Sequence, residues 1–243
     1  MAQGAPSKFA VFDIDGTVIR WQLYHAIVGE LAKQGHLQDH AYETIQQARL
    51  TWKQREQSDS YDAYEQVLVN TYLSALKNLK VTDYLAAVDK VFEEYKDQVY
   101  TYTRDLIRDL KADGYVLFAI SGSQHEIIEK LAKYYGFDDY RGSLFEQENG
   151  HFTGEVHTPY GRKLELLQNM VEEHNLSFEG SIGIGDATTD IPLLEAVEKP
   201  VAFNPNQKLL EAATEHGWPI VLERKNVVYH LEAQDGTYRL RTN

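Results

Sequence analysis

A chain of 243 residues with 24 Lys and Arg against 37 Asp and Glu carries a formal net charge of −13 and contains no cysteine. The acidic balance argues against nucleic-acid and anionic-membrane partners, which reward basic patches. The missing thiols exclude a disulfide framework, a thiolate zinc site and a cysteine nucleophile.

The first predicted element is a strand through Phe9-Ala10-Val11-Phe12, apolar throughout, as in a parallel sheet covered by helices on both faces. It runs into Asp13-Ile14-Asp15-Gly16-Thr17-Val18. Carboxylates at the C-terminal end of such a strand lie in the crevice where open α/β sheets bind ligands. Alternation points Asp13 and Asp15 to the same side. There two ionised carboxylates repel unless a cation sits with them. The pair reads as a hard metal site with one carboxylate left for chemistry, or else as a strand end closed by an ordinary Asp-Gly turn. An EF-hand fits poorly, because its loop wants glycine at the sixth position and a distant Glu.

From about Trp21 to Tyr100 helical periodicity replaces strand signals. Leu23, Ile27 and Leu31 form one stripe, and Tyr61, Tyr64, Leu68, Tyr72, Ala75 and Leu79 a second. Leu85, Val88, Phe92, Tyr95 and Val99 form a third, with a weaker fourth through Ile45, Ala48 and Trp52. The polar run over residues 54–60 reads as a loop ending in a helix cap. These stripes predict a helical bundle inserted after the first strand. His36 and His40 with Asp39 have metal-compatible spacing but read as an exposed helix end. Arg20 and Trp21 stand where the chain enters the insertion, placed either to contact a leaving group or to pack the hinge.

From residue 102 helices and strands alternate. A helix through Leu106 and Leu110 precedes the apolar run Tyr115–Ile120, and a helix from about Gln124 to Tyr135 follows. Residues 142–155 read as a hairpin around Glu148-Asn149-Gly150. Then come a helix through Leu164, Leu167 and Val171, a strand at 181–184, a short helix from Ile191, a strand at 201–203, a helix from Lys208 and a strand at 219–221. Repeated βα units imply a parallel sheet with helices on both faces. Residues 227–230 and 238–240, around Asp235-Gly236, read as an added C-terminal hairpin.

Three more strand ends carry polar residues. Ser121-Gly122-Ser123 stands before a helix and offers a hydroxyl and backbone amides to an anion, or simply a cap. Asp186, in Gly185-Asp186-Ala187-Thr188-Thr189-Asp190, sits at a strand terminus like Asp13 and completes an oxygen site for magnesium, or caps the next helix. Lys163 opens a helix whose dipole it opposes, which reads either as a placement for a reason beyond solubility or as an ordinary solvated face; Arg162 is its local rival.

In that order, Asp-x-Asp-Gly-Thr, a helical insertion, Ser-Gly, Lys and Gly-Asp-x-x-x-Asp resemble the haloacid-dehalogenase (HAD) superfamily across residues 8–222. Within it the insertion resembles the cap of the phosphoserine-phosphatase-like branch, subfamily IB. The segment Val201-Ala202-Phe203-Asn204-Pro205 through His216-Gly217-Trp218 is similar to that branch's uncharacterised members.

The resemblance implies an α/β fold. A Rossmann-like parallel sheet core spans residues 1–20 and 101–243, with an α-helical C1-type cap over 21–100 and the C-terminal β-hairpin. It implies a Mg2+-dependent phosphomonoester hydrolase. Asp13 is then the nucleophile that forms an aspartyl-phosphate, and Asp15 the general acid and later base. Asp13, Asp186 and the backbone carbonyl of Asp15 would hold Mg2+. Ser121, the Gly122 amide and Lys163 would bind phosphoryl oxygens, with Asp190 orienting Lys163 or a metal-bound water. The physical logic agrees, since a phosphoryl transition state needs positive charge on its equatorial oxygens.

Two departures bear on the substrate. Phosphoserine phosphatases carry a glutamate for the serine ammonium seven residues after the second aspartate, where this chain has Gln22; and they have Asn where it has Thr189. A small phosphorylated metabolite other than phosphoserine is therefore expected, with Arg20, Trp21 and Gln22 at the entrance that meets it. The rival readings are a phosphotransferase or mutase using the same aspartyl-phosphate and, in a different class, a receiver-like signalling domain or a non-catalytic phospholigand binder. No apolar stretch approaches the ~20 residues that span a bilayer. Residues 1–6 lack the marks of a secretion signal, so a cytoplasmic protein is expected.

Overall fold

The structure is a computed structural model in which residues 8–37, 39–54, 60–76, 79–234 and 236–241 are described. Residues 1–6, the loop residues 55–59, Asp235 of the expected terminal turn and the side chains of Asp39 and Tyr61 lie outside the described set. In chain order the elements begin with β1 (Phe9–Phe12), α1 (Leu23–Lys33), α2 (Asp39–Gln54), α3 (Ser60–Leu76) and α4 (Val81–Tyr95). Next come α5 (Thr101–Ala112), β2 (Val116–Gln124), α6 (His125–Tyr135), β3 (Asp139–Glu148) and β4 (His151–His157). The chain continues through α7 (Lys163–Glu173), β5 (Ile182–Gly185), α8 (Ile191–Ala196), β6 (Lys199–Phe203) and α9 (Gln207–His216), then β7 (Ile220–Arg224), β8 (Val227–Gln234) and β9 (Thr237–Leu240). Two compact units result: one holds residues 1–22, 95–143 and 158–243, the other Leu23–Glu94 and Leu144–His157.

In the first unit the strand order is β3-β2-β1-β5-β6-β7-β8-β9. Neighbours are parallel from β3 through β7, and antiparallel from β7 through β9. The four residues of β1 are completely buried, as a central parallel strand requires. Phe9 and Val11 join a core with Phe118, Ile120, Leu167, Met170, Leu193 and Leu194. Phe12 meets Phe137 edge-on at 5.7 Å between ring centres. This is the expected α/β architecture, with parallel strands bracketed by helices and a terminal hairpin of β8 and β9. Among the described residues no helix is long and apolar enough to cross a membrane.

The second unit joins α1 to α4 with the hairpin made by the end of β3 and β4. The hairpin turns at Asn149 and Gly150, both at positive φ (51° and 81°), the conformation that Asn-Gly favours between twisted strands. The sequence reading kept residues 101–243 together; the structure instead packs 144–157 with the helices. Tyr72 meets Phe145 at 5.6 Å and Tyr84 meets Phe152 at 5.2 Å, both near perpendicular. The Val81 amide donates to the Gly150 carbonyl at 3.1 Å. An aromatic ring at a hairpin position looks the same in sequence whichever core receives it, so the periodicity could not assign it.

Candidate active site

The ends of β1, β2 and β5 and the start of α7 bring the predicted polar residues together. Beyond Phe12 the Asp13 amide still donates to the Ile184 carbonyl at 3.0 Å, which anchors the chain before it leaves the sheet. Asp13 and Asp15 are buried (5% and 8% exposed), so neither is an ordinary surface turn residue. Lys163, the first residue of α7, is equally buried; its Nζ lies 2.7 Å from Asp13 Oδ1 and 2.6 Å from Asp190 Oδ1. Its local rival Arg162 is exposed and paired with Glu165.

Asp190 is fully enclosed, and its second oxygen accepts the Asp186 and Ala187 amides at 3.1 and 3.0 Å. One carboxylate thus fixes both the ammonium and the loop that carries Asp186. Gly185 makes this possible, because a Cβ there would stand 2.5 Å from Asp190 Cβ. Asp15 takes a different partner: Ser121 Oγ donates to its Oδ2 at 2.6 Å, while accepting the Ser123 amide at 2.9 Å. Gly122 is exposed, and its carbonyl accepts Ser143 Oγ at 2.7 Å.

Oxygens of Asp13, Asp186 and Asp190 lie within 4.8 Å of one another. Burial is the main cause that pushes the Asp13 carboxyl up to about 7. Lys163 opposes that rise, and the charges of Asp190 and Asp15 add to it. Asp186 is likewise driven well above its ordinary value by burial, then by Asp13 and Asp190. Lys163 is held protonated, because its two carboxylate partners outweigh the burial that opposes its charge. One ammonium among several carboxylates leaves negative charge uncompensated. With both Asp190 oxygens already accepting hydrogen bonds, Asp13 and Asp186 remain as an all-oxygen donor pair suited to a hard divalent cation.

The sequence reading missed Thr17, which is buried and donates to Asp186 Oδ1 at 3.2 Å; its place in the Asp-x-Asp-Gly-Thr run was the available signal. It also missed Glu223, which no local pattern marks. Arg20 is committed within the first unit. Its guanidinium pairs with Glu223, donates to the Val99 and Lys225 carbonyls at 2.6 and 3.1 Å, and stacks 4.7 Å over the Tyr100 ring. These contacts pack it against the end of β7 and the residues just before α5. Trp21 and Gln22 are half-buried directly before α1. Among the described residues neither His36 nor His40 belongs to a metal-capable group.

A family model described as haloacid dehalogenase-like hydrolase matches residues 10–195. Over 133 residues the chain is 29% identical to a phosphoserine phosphatase of Lactococcus lactis subsp. lactis, covering 54% of this chain and 59% of that one. The chain thus spans little more than half the length of the first curated relatives it matches, 59%, 57% and 55%. A crystal structure of a protein of unknown function from Bordetella pertussis Tohama I superposes with a TM-score of 0.72 at 20% identity, over 89% of this chain and 98% of the other. A phospho-aspartyl intermediate analogue of phosphoserine phosphatase superposes with a TM-score of 0.63 at 20% identity, over 91% and 96%. These structural likenesses establish a shared fold.

Proposed function

The chain belongs to the haloacid dehalogenase-like hydrolases, and from that premise we propose that it is a Mg2+-dependent phosphomonoester hydrolase working through an aspartyl-phosphate. The observation that carries this reading is Asp13, whose carboxylate lies against Lys163 and converges with Asp186 at the end of a buried parallel strand. In the proposed reaction an Asp13 oxygen bonds to phosphorus as the ester oxygen leaves. Asp15 gives that leaving oxygen a proton, then takes one from the water that attacks the phosphoryl group. Phosphate departs and Asp13 is regenerated. Ser121, whose hydroxyl can turn from Asp15 to the substrate while that acid still holds its proton, and the exposed Gly122 segment would donate to phosphoryl oxygens, with Lys163 adding fixed positive charge. Asp190 keeps Lys163 aimed. Asp13, Asp186 and the Asp15 carbonyl would hold Mg2+, which when bound would supply the charge that phosphoryl transfer needs and two buried acids lack.

The substrate in this reading is a small phosphorylated metabolite other than phosphoserine. Gln22 can accept a hydrogen bond from an ammonium but cannot neutralise it, and charge-assisted hydrogen bonds are roughly twice as strong as neutral ones. The test is phosphate release from a panel of phosphorylated sugars, alcohols and amino acids, with Mg2+ or with EDTA. Mg2+-dependent release from at least one ester is expected; no release from any of them overturns the proposal.

A further inference from the structure

Helix α5 starts without a cap of its own. Tyr100, at its N-cap position, makes no side-chain cap bond. The Thr101 and Tyr102 amides are instead taken by Glu223 Oε1 and Oε2 at 3.1 and 2.9 Å, from the end of β7. A carboxylate at a helix N-terminus satisfies otherwise unpartnered donors and complements the dipole. The Glu223 side chain is fully enclosed and its charge is met by Arg20. The first turn of α5 is therefore bound to the sheet by a charged, buried clasp.

The next residue, Thr103, turns that clasp toward the active site. Its Oγ1 donates to the Thr17 carbonyl at 2.8 Å, and both residues are completely buried. Thr17 Oγ1 in turn donates to Asp186 Oδ1 at 3.2 Å. The Tyr100 amide adds a parallel tie to the Val18 carbonyl at 3.0 Å. A hydroxyl is a neutral donor, so Thr17 directs the Asp186 carboxylate without cancelling its charge.

We propose that Thr103 is a positioning residue for the metal ligand Asp186, acting through Thr17 and held in place by Glu223. The inference rests on the reading of Asp13 and Asp186 as metal ligands. Fixing Thr17 from behind leaves less side-chain freedom to be lost when Asp186 takes a cation. Removing the fix should weaken metal binding while the residues that touch the phosphoryl group stay in place.

The test is Mg2+ affinity, read by calorimetry and by the Mg2+-induced rise in melting temperature, beside phosphate release. Thr103→Val keeps the buried shape and deletes the hydroxyl. It is expected to raise the Mg2+ Kd by about 3- to 10-fold, the range of one net hydrogen bond, with kcat at saturating Mg2+ within about twofold of wild type. Thr103→Ser should restore the affinity. Glu223→Gln, which loosens the clasp without touching a buried methyl, should move the Kd the same way and carries the test if Thr103→Val does not fold. A lower melting temperature with an unchanged Mg2+ Kd would mark a merely structural role and overturn the proposal. Wild type that binds Mg2+ but releases no phosphate overturns the proposed reaction and leaves this inference standing, whereas wild type that binds no Mg2+ overturns both.

Discussion

A Cβ placed on Gly16 would collide with Asp186 Oδ2 and stand 2.9 Å from Asp186 Cγ. Gly16 also holds φ +81°, a conformation that costs any other residue strain. The loop after β1 and the loop after β5 therefore meet more closely than a side chain permits. Gly16→Ala is expected to displace Asp186, lower stability by about 1–3 kcal/mol and abolish the Mg2+-induced rise in melting temperature. Thermal melts with and without Mg2+ check this; a wild-type Mg2+ response in the variant contradicts it.

Asp13→Asn should fold, because the amide keeps the shape of the carboxyl, yet lose more than about 10³-fold in turnover, the scale expected when a nucleophile is removed. Phosphate release with a matched circular dichroism spectrum measures both halves. Substantial residual turnover would move the nucleophile elsewhere.

Lys163→Met tests the buried ion pairs. It strands Asp13 and Asp190 without their cation, and breaking a buried pair from one side costs about 3–5 kcal/mol. Adding Asp190→Asn to that variant should recover part of the loss, since one uncompensated charge is then gone. Urea unfolding of the two variants gives the comparison; equal stabilities would show that Asp190 is not what Lys163 neutralises.

The Asp13 carboxyl has an ordinary value of 3.8 and is pushed to about 7 in the fold, by burial before any neighbouring charge. Between these values the folded protein holds more protons than the unfolded chain, so stability falls as pH rises. With EDTA present, the melting temperature should therefore decline from about pH 4 toward pH 7 and level off above it. Asp13→Asn should reduce that slope, leaving the part that Asp186 contributes with the same sign, and Mg2+ with wild type should reduce it too, because a bound cation favours the ionised form. A metal-free melting temperature that climbs through this window would contradict the sign.

Gln22→Glu should raise kcat/KM for phosphoserine relative to a neutral phosphate ester, by about tenfold if one charge-assisted hydrogen bond is gained. Steady-state kinetics on both substrates checks the ratio. A wild-type preference for phosphoserine over the rest of the panel would overturn the assignment of Gln22 as a discriminator.

Asp13 and Asp186 were legible because each follows an apolar strand run, and Lys163 because it opens a helix against the dipole. Each alone also fits a turn, a cap or a solvated face, and it was their order along the chain that suggested that they meet. Glu223 and Thr103 were not legible. Glu223 reads as an unremarkable acid in the pattern Ile-Val-Leu-Glu-Arg, and its partners lie 121, 122 and 203 positions away. Thr103 sits on a helix whose periodicity explains it as core; its hydroxyl has a longer local contact with the Tyr100 carbonyl at 3.4 Å, and the shorter one, to Thr17, lies 86 positions earlier. Arg20 was open between two roles because a guanidinium at a chain entrance suits either, and its four packing partners, spread from Val99 to Lys225, lie too far along the chain to be read locally.

Strand β3 has a consequence for anyone who would exchange parts between related enzymes. Its first half, Asp139 to Ser143, pairs with β2, and its second half pairs with β4 in the helical unit. A graft that replaced only residues 23–94 would leave Phe145 and Phe152 facing a foreign surface in place of Tyr72 and Tyr84. The transferable module is discontinuous, and its second piece is fused end to end with a strand of the recipient. Successful chimeras should therefore cut twice, the second time within a single β-strand, and keep its register through the splice.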